Sequence, residues 1–208
     1  MEFVPYIITA VIAYLLGSTP SGFLAAKAKG IDIRTVGSGN IGATNAMRVL
    51  GKPLGCLVLL TDALKGFVAA AFLPLLIMQF FPEMKGHRDG LSIAGGAGAI
   101  LGHNYTCWLK FKGGKGVATT GGVVLAWAPL AVLVTFGVWV LFVKMTRYVS
   151  VGSIAAAIVL PIAVWCSGKS STMVIVLAIL CALAIYKHKG NIQRLMNGTE
   201  NKVGAKKS

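Results

Sequence analysis

Long runs of apolar residues dominate the chain and are separated by short polar segments. A helix needs about 20 apolar residues to cross the roughly 30 Å hydrocarbon core of a bilayer. Because the runs are of about that length or longer, they predict an all-α, polytopic integral membrane protein. The candidate spans are residues 3–26, 53–81, 91–109, 117–143, 148–166 and 171–186.

Basic residues are concentrated in four of the polar segments. Lys and Arg are enriched in the short cytoplasmic loops of membrane proteins, so these four segments are predicted to lie in the cytoplasm. Loops 82–90 and 167–171 contain only three basic residues, Lys85, Arg88 and Lys169, and are predicted to lie on the outer side of the membrane. The four basic segments run from Lys27 to Lys52, from Lys110 to Lys115, over Lys144 and Arg147, and from Lys187 to Lys207.

The apolar run 117–143 must be divided for this sidedness to hold, because a single crossing would place Lys144 and Arg147 outside. Pro129 interrupts helical hydrogen bonding and supplies a break. Two crossings are therefore predicted, each about 20 Å or less in length, so that one or both tuck into the protein. The result is a single membrane-embedded domain over residues 1–208 with seven transmembrane helices, the N-terminus outside and the C-terminus cytoplasmic.

Composition agrees with a membrane protein and restricts its chemistry. Hydrophobic residues make up 56% of the chain and charged residues 12%, about half the charged share of a soluble domain. The 20 Lys and Arg outnumber six acidic residues, so the basic loops are predicted to face lipid head groups or anionic substrates, not nucleic acid. The four cysteines are scattered without a C-x-x-C pair, which indicates packing residues and no zinc site or disulfide framework.

The first cytoplasmic segment, residues 32–48, has the composition of an anion-binding loop. Its glycines allow backbone N–H groups to converge on an anion, hydroxyl and amide side chains add donors, and Arg48 can clamp a phosphate. The string Gly37-x-Gly39-x-x-Gly42 matches a dinucleotide fingerprint formally, but it lacks the strand and βαβ unit that give the pattern meaning. The alternative is a surface loop whose basic residues only contact lipid head groups.

The second segment, Phe111 to Thr120, places three glycines around Lys115 directly before a helix. This arrangement is typical of an anion site at a positive helix terminus. It is not a P-loop, because Gly116 stands where Ser or Thr would hold magnesium. Nucleotide hydrolysis is therefore not expected.

Two further segments carry polar candidates, each with a structural alternative. Ser150 and Ser153 follow Tyr148 at a helix start, where a serine can simply cap the helix. His188 and Asn191 would share one helical face, although a histidine at this position can also be an interfacial residue that snorkels from the last span.

Three ionisable residues fall within the apolar spans, where charge is costly and normally paired. Asp62 and Lys65 have i, i+3 spacing, which favours mutual neutralisation. His103 follows the small-residue run 94–98, which favours close helix approach. This histidine either supports the Lys115 loop or is a satisfied core residue.

These segments together resemble the bacterial acyl-phosphate:glycerol-3-phosphate acyltransferases of the PlsY type. The resemblance extends from the first span to Glu200, and it departs at Thr106, where the family usually has proline, and at Gly190, where an acidic residue is common. The motifs that carry it are Gly37 to Asn45 with Arg48, Leu50-Gly51-Lys52, Asp62 to Gly66, Phe111 to Thr119, Tyr148 to Ser150 with Ser153, His188, Asn191-Ile192, Arg194-Leu195 and Gly198 to Glu200.

The resemblance implies a multi-pass enzyme of the bacterial cytoplasmic (inner) membrane. Such an enzyme transfers a fatty acyl group from acyl phosphate to the 1-hydroxyl of sn-glycerol 3-phosphate, giving lysophosphatidic acid and inorganic phosphate. Membrane lipids surround it, and no cofactor, metal, nucleic acid or obligatory protein partner is expected. The implied catalytic residues are Ser38, Arg48, Lys115, His188 and Asn191, and the same segments supply the substrate-binding candidates Gly37, Gly39, Asn40, Thr44, Asn45, Lys112, Gly113, Gly114, Gly116, Ser150 and Ser153.

Two groups are candidates for the general base. Asp32 and Glu200 are the only carboxylates in the cytoplasmic segments, and the H-x₄-D pattern of other glycerolipid acyltransferases is absent. A phosphate oxygen of the acyl phosphate is therefore favoured, with His188 as competitor. Direct transfer is preferred to an acyl–Ser38 intermediate, since no base–carboxylate pair accompanies that serine in sequence.

Two rival classes remain compatible with the pattern. A carrier for a phosphate ester also uses broken helices and anion loops, although the basic motifs here lie at one face of the membrane and no matching halves are seen. A lipid-binding scaffold would use the same basic surface without turnover. On the residues alone the acyl donor could also be acyl-CoA or acyl-carrier protein.

Overall fold

A computed structural model describes residues 3–204, and within that range every regular element is helical. This confirms the predicted all-α class.

The chain falls into two compact units, Met1–Trp127 and Ala128–Ser208, and the single domain over residues 1–208 stays a prediction. The first unit holds α1 (Val4–Ser18), α2 (Ser21–Lys27), α3 (Ala43–Leu50), α4 (Lys52–Ala71), α5 (Leu73–Phe80), α6 (Arg88–Asn104) and α7 (Val117–Trp127), with 3₁₀ turns at Pro82–His87 and Cys107–Leu109. The second holds α8 (Pro129–Thr146), α9 (Val149–Cys166), α10 (Ser171–Lys187) and α11 (Lys189–Met196).

Several of these helices are long and apolar enough to cross a bilayer. Within residues 3–204 four segments qualify, and the number becomes five if α10 and α11, which are bent by 47°, form one span. Helix α7 is a shorter apolar helix of 11 residues. The four segments are Val4–Lys27, Lys52–Phe80, Pro129–Thr146 and Val149–Cys166.

The break predicted in the run 117–143 is present. Ala128 leaves the helical region at φ −151° and ψ 81°, and Pro129 begins α8, where its missing N–H costs no helical hydrogen bond. The expectation that both halves are short is wrong for the second half. Helix α8 has 18 residues, because no further breaker follows until Arg147 turns the chain at φ 65°.

The predicted span 91–109 also ends earlier than expected. Helix α6 stops at Asn104, and the chain then turns through Cys107–Leu109 and through Lys110 and Phe111, which both have positive φ. The residues after Asn104 are therefore not part of the apolar helix. They form the loop that leads to Lys115.

Glycines allow the helices of the first unit to pack backbone against backbone. A Cβ at Gly98 would overlap the Ala10 carbonyl of α1, and one at Gly122 would overlap the Ala63 carbonyl of α4. Such small residues permit the close contacts typical of helices in membranes. The close approach predicted for run 94–98 is therefore confirmed.

The second unit packs through α9. Gly152 lies against the Trp139 backbone of α8, where a Cβ would collide with the Val143 side chain. Val164 of α9 and Leu177 of α10 are fully buried. By contrast, many apolar side chains of α8 are exposed, Leu130 by 72% and Phe136 by 60%, as expected for a surface that faces lipid.

Candidate active site

Asn45 organises the glycine-rich loop between α2 and α3. Its side chain is 1% exposed, and its Oδ1 accepts a hydrogen bond from the Ser38 backbone N–H at 2.9 Å. Its Nδ2 lies 2.9 Å from the Asn40 carbonyl, 3.1 Å from that of Val36 and 3.3 Å from that of Ile33. One side-chain amide thus contacts four backbone polar groups of the loop, which helps to pair backbone that is removed from water.

Ser38 and Arg48 are brought together by this amide. Gly37 and Gly39 flank Ser38 in the left-handed region, at φ 63° and 69°, where a side chain would be strained. Arg48 follows Asn45 by one turn of α3, and its Nη1 lies 3.5 Å from the same Asn45 oxygen. The Ser38 backbone and the Arg48 guanidinium therefore meet at one amide oxygen. Asn40 caps the turn by accepting from the Gly42 N–H at 2.8 Å.

Asp32, at the start of the loop, is paired with Arg34. Arg34 donates to it through Nη2 at 2.7 Å and Nε at 2.9 Å. Hydrogen bonds from the Arg34 side chain and backbone lower the pKa of the Asp32 carboxyl to about 2. An acid this strong is a poor proton acceptor at neutral pH.

The second loop is fixed onto the end of α6. The Gly114 N–H donates to the His103 carbonyl at 2.9 Å, and the Gly113 N–H donates to the Asn104 carbonyl at 3.2 Å. Gly116 takes φ 82° and lets the chain turn into α7 at Val117. Lys115 is half-buried and stands between these glycines, next to the positive end of α7, as the sequence predicted. Lys112 is exposed.

The two loops rest on one apolar cluster. Ile33 and Ile41 of the first loop are buried together with Leu109, which belongs to the 3₁₀ turn before the second loop. A polar pocket beside this cluster is lined by Ile41 and, from other elements of the same unit, by Ser21, Asp62 and Thr106. Within the first unit, therefore, the Ser38 and Lys115 segments are neighbours.

Asp62 and Lys65 form the ion pair predicted from their spacing, with Lys65 Nζ 2.8 Å from Asp62 Oδ1. The pair is buried and is supported by two further groups. Ser21 Oγ donates to Asp62 at 2.6 Å, and Lys65 donates to the Thr19 carbonyl at 2.9 Å.

In the second unit three donors converge on Glu200. Its Oε1 accepts from Asn191 Nδ2 at 2.7 Å and from Ser150 Oγ at 3.1 Å, and its Oε2 accepts from Arg194 Nε at 2.7 Å. The capping role considered for Ser150 is not observed, since α9 begins at Val149 and no side chain caps it. The glutamate, which the sequence placed in a motif but not in the site, joins two predicted site residues. The sequence feature that could have identified Glu200 as a site residue is its position as the one acidic residue in the basic segment from Lys187 to Lys207.

His188 lies at the junction of α10 and α11 and is 3% exposed. Its Nδ1 is 2.8 Å from the Ala184 carbonyl. Because a carbonyl only accepts, Nδ1 carries the hydrogen, and in the neutral ring Nε2 holds the lone pair. Asn191 follows in the first turn of α11, so both residues are buried on the same helical junction. Ser153 accepts from Trp139 Nε1 at 3.3 Å.

The four cysteines form no disulfide, as predicted. Their interpretation as packing residues holds for buried Cys181 and is wrong for Cys56 and Cys166, which are exposed, because apolar surface is tolerated where a helix faces lipid. Among residues 3–204 no group of three His, Cys, Asp or Glu side chains could hold a metal ion.

Comparison with known proteins places this all-helical chain among integral membrane enzymes. The glycerol-3-phosphate acyltransferase family matches residues 7–198, and the chain belongs to that family. It is 46% identical over 197 residues to the glycerol-3-phosphate acyltransferase of Geotalea daltonii, covering 94% of this chain and 96% of the relative. With the Geobacter sulfurreducens protein of the same name it shares 44% identity over 96% of this chain and 98% of the relative.

Two solved structures have the same fold. The crystal structure of PlsY (YgiH), an integral membrane glycerol 3-phosphate acyltransferase in its glycerol 3-phosphate form, superimposes with a TM-score of 0.84 at 40% identity, over 96% of each chain. The lysophosphatidic acid form of that protein gives a TM-score of 0.82 at 39% identity, over 96% of this chain and 95% of the other.

Proposed function

We propose that this protein transfers a fatty acyl group from acyl phosphate to the 1-hydroxyl of sn-glycerol 3-phosphate. The products are 1-acylglycerol 3-phosphate, which is lysophosphatidic acid, and inorganic phosphate. The observation that carries the proposal is the match along nearly the whole chain to a glycerol 3-phosphate acyltransferase solved with glycerol 3-phosphate and with lysophosphatidic acid. The acyl phosphate donor follows from the motif resemblance.

The arrangement in the first unit supports phosphate chemistry. Arg48 lies on α3 directly after the first loop and Lys115 lies in the second loop, and the two loops share an apolar cluster. Gly37, Gly39 and Gly116 shape these loops through their positive φ angles. Two phosphorylated substrates require positive charge and donors at separate points. We assign Arg48 and Lys115 to the phosphates, with the Ser38 hydroxyl as a further donor. The surrounding glycines are proposed to let a substrate approach the backbone closely.

Alignment and charge stabilisation carry most of the proposed catalysis. Acyl phosphate is a mixed anhydride with phosphate as a good leaving group, so a strong general acid is dispensable. The 1-hydroxyl attacks the acyl carbon, the C–O bond to phosphate breaks, and fixed cations stabilise the negative charge that develops. Ser150 and Ser153 are proposed to contact the substrates, as are Thr44 and Lys112. His188 and Asn191 are proposed as further residues of the substrate site.

A phosphate oxygen of the donor is the proposed proton acceptor. Both carboxylates of the cytoplasmic segments are already engaged, Asp32 with Arg34 and Glu200 with three donors. His188 remains the competitor, because its Nδ1–H donates to the Ala184 carbonyl and Nε2 is then the basic nitrogen of the neutral ring.

The proposed setting is the bacterial cytoplasmic membrane, with seven crossings, the N-terminus outside and the C-terminus in the cytoplasm. The break at Ala128 supports two crossings between residues 117 and 146, and basic residues on the Ser38 and Lys115 segments support a cytoplasmic site. Soluble glycerol 3-phosphate reaches such a site from the cytoplasm, while the acyl chain lies in the membrane.

Phosphate release by the purified protein in detergent tests the proposed reaction. With acyl phosphate and glycerol 3-phosphate we expect inorganic phosphate and lysophosphatidic acid in equal amounts, and no transfer with acyl-CoA. Transfer from acyl-CoA would refute the donor assignment. Absence of transfer in detergent together with glycerol 3-phosphate uptake into vesicles would identify a carrier. Absence of both transfer and uptake, with a lipid affinity that falls in Lys115→Ala, would identify a lipid-binding scaffold.

A further inference from the structure

His103 lies between the buried charge cluster of α4 and the loop that bears Lys115. Its Nδ1 is 3.5 Å from Asp62 Oδ1, which also receives the Ser21 hydroxyl and the Lys65 ammonium. The exposed fractions are 1% for Asp62, 7% for Lys65 and 5% for His103. The buried Asp62 carboxylate of α4 therefore holds the Nδ1 side of the His103 ring.

The other side of His103 supports the loop. Gly114 packs onto the ring so closely that a Cβ there would overlap Nε2. The Gly114 N–H also donates to the His103 carbonyl at 2.9 Å. Both the ring and the backbone of His103 thus fix the residue that directly precedes Lys115.

Stability alone is a weak explanation for this cluster. Buried ion pairs contribute little net stability in general, because desolvation of the charges offsets their attraction, and ionisable groups within membrane helices are costly. Ionisable residues within membrane helices typically mark functional sites. Here the cluster ends in contact with a loop that holds a proposed catalytic cation.

We propose that Asp62 and His103 are positioning residues which set the place of Lys115 relative to the substrate phosphate. This inference rests on the proposed function, in which Lys115 meets a phosphate. Asp62 orients the imidazole, the imidazole supports Gly114, and Gly114 determines where the next side chain begins. His103 does not act on the substrate itself, because Nδ1 faces Asp62 and Nε2 faces the Gly114 backbone.

The decisive variant is His103→Ala, assayed for acyl transfer by the purified protein. We expect the KM for at least one of the two phosphate substrates to rise roughly tenfold, since a misplaced cation binds phosphate poorly. A purely structural loss would instead lower the amount of active enzyme, which reduces kcat and leaves both KM values unchanged. Unchanged KM values would overturn the proposal.

Ser92→Ala is the matched control. Ser92 is buried on the same helix and donates to the Ala70 carbonyl at 2.6 Å while it accepts from Trp127 Nε1 at 2.8 Å, but it belongs to neither loop. This variant loses buried hydrogen bonds without touching the Gly113–Lys115 turn. Its KM values are expected to stay at the wild-type level, and an equal rise in both variants would also overturn the proposal.

A second measurement is independent of turnover. A lysine-reactive reagent modifies Lys115, and mass spectrometry follows how much glycerol 3-phosphate is needed to protect it. We expect glycerol 3-phosphate to protect Lys115 of the wild type from modification. The concentration needed for the same protection should be about tenfold higher in His103→Ala or Asp62→Asn. If Lys115 of the wild type is protected but the protein transfers no acyl group, the proposed function is wrong. The positioning role of Asp62 and His103 is then tested only by the change in the protecting concentration between wild type and variants. Equal protection of wild type and variants would refute positioning.

Discussion

The Ser38 backbone N–H donates to the side-chain oxygen of Asn45 at 2.9 Å, across seven positions of sequence. The loop therefore takes its shape from the first turn of α3, which holds Asn45 in the core. Arg48 on the next turn of that helix lies beside the same oxygen. Any change in the loop around Ser38 is thus linked to the place of the Arg48 guanidinium.

Replacing Asn45 by alanine is predicted to uncouple these two residues. The backbone groups that Asn45 satisfies would turn to water or to one another, and the loop would lose its fixed geometry. We expect kcat/KM to fall by about 100-fold, since small displacements of a positioned group have effects of that size. Phosphate release measures the loss.

Thr35→Ala is the control for this loop. Its exposed hydroxyl donates only to the Asp32 carbonyl at 3.0 Å among the described contacts. We expect nearly wild-type turnover from this variant. If Asn45→Ala behaves in the same way, Asn45 does not organise the site.

Sequence reasoning succeeded where a residue acts on its own neighbours along the chain. Pro129, which lacks the N–H needed to continue a helix, separates α7 from α8, and glycines around Lys115 permit a turn before α7, so both features could be predicted. The ion pair of Asp62 and Lys65 follows from one turn of helix.

The remaining features depend on which segments meet in space. Asn45 reads as one more polar donor of a loop, yet it faces inward and binds the loop itself. Glu200 reads as a lone acid in a basic tail, and its three partners come from α9 and α11. No local periodicity encodes such contacts, because they arise from tertiary packing.

The pH–rate profile is predicted to show that neither Asp32 nor His188 is an essential base. The pKa of Asp32 lies near 2, below its ordinary value, so this carboxylate stays ionised at any pH at which activity is measured. Its contribution to stability is complete at neutral pH and is lost only as pH falls toward 2. Asp32→Asn should therefore leave the shape of the profile unchanged between about pH 5 and 9.

His188→Ala is predicted to retain most of kcat, because a donor phosphate oxygen accepts the proton. General bases typically contribute about 100-fold or more, so a loss of that size, with the disappearance of a titration near neutral pH, would make His188 the base. The profile is measured with saturating acyl phosphate and glycerol 3-phosphate. A moderate rise in KM would agree with a role in binding.

No covalent acyl–Ser38 species is predicted to accumulate. Ser38 lies beside Asn45 and Arg48, and none of the described contacts within the first unit joins it to a carboxylate. Intact-protein mass spectrometry after a quench with acyl phosphate alone checks this expectation. An added acyl mass that glycerol 3-phosphate removes, and that Ser38→Ala lacks, would establish a two-step reaction.

Cysteine labelling is predicted to place the Ser38 and Lys115 segments on one side of the membrane. In a chain freed of its four native cysteines, Thr35→Cys and Lys110→Cys provide exposed labels within the two segments. An impermeant thiol reagent should reach both in inverted vesicles and neither in intact cells, whereas Lys85→Cys should show the reverse. Labels on opposite sides for 35 and 110 would exclude a shared site.

Glu200 is predicted to be necessary for the second unit to hold Asn191. Its carboxylate is 7% exposed and accepts from Asn191, Ser150 and Arg194, so its removal leaves three donors without their acceptor. Glu200→Ala should cost about 3 kcal/mol of stability, as for a broken buried ion pair, and should lower the thermal unfolding midpoint in detergent. Thr199→Ala, which alters an adjacent exposed hydroxyl, should keep both midpoint and activity.

Glu200→Gln separates charge from shape in the same cluster. The amide oxygen can still accept from Asn191 and Ser150, but the amide NH₂ then faces Arg194, a donor that cannot accept. The tail remains attached at its next turn, because the Val203 N–H donates to the Arg147 carbonyl at 2.8 Å. We therefore expect Glu200→Gln to have a midpoint between those of wild type and Glu200→Ala while it keeps more activity than Glu200→Ala. If the two variants lose activity equally, the Arg194 ion pair is the decisive contact, and the bond to Asn191 has no separate effect.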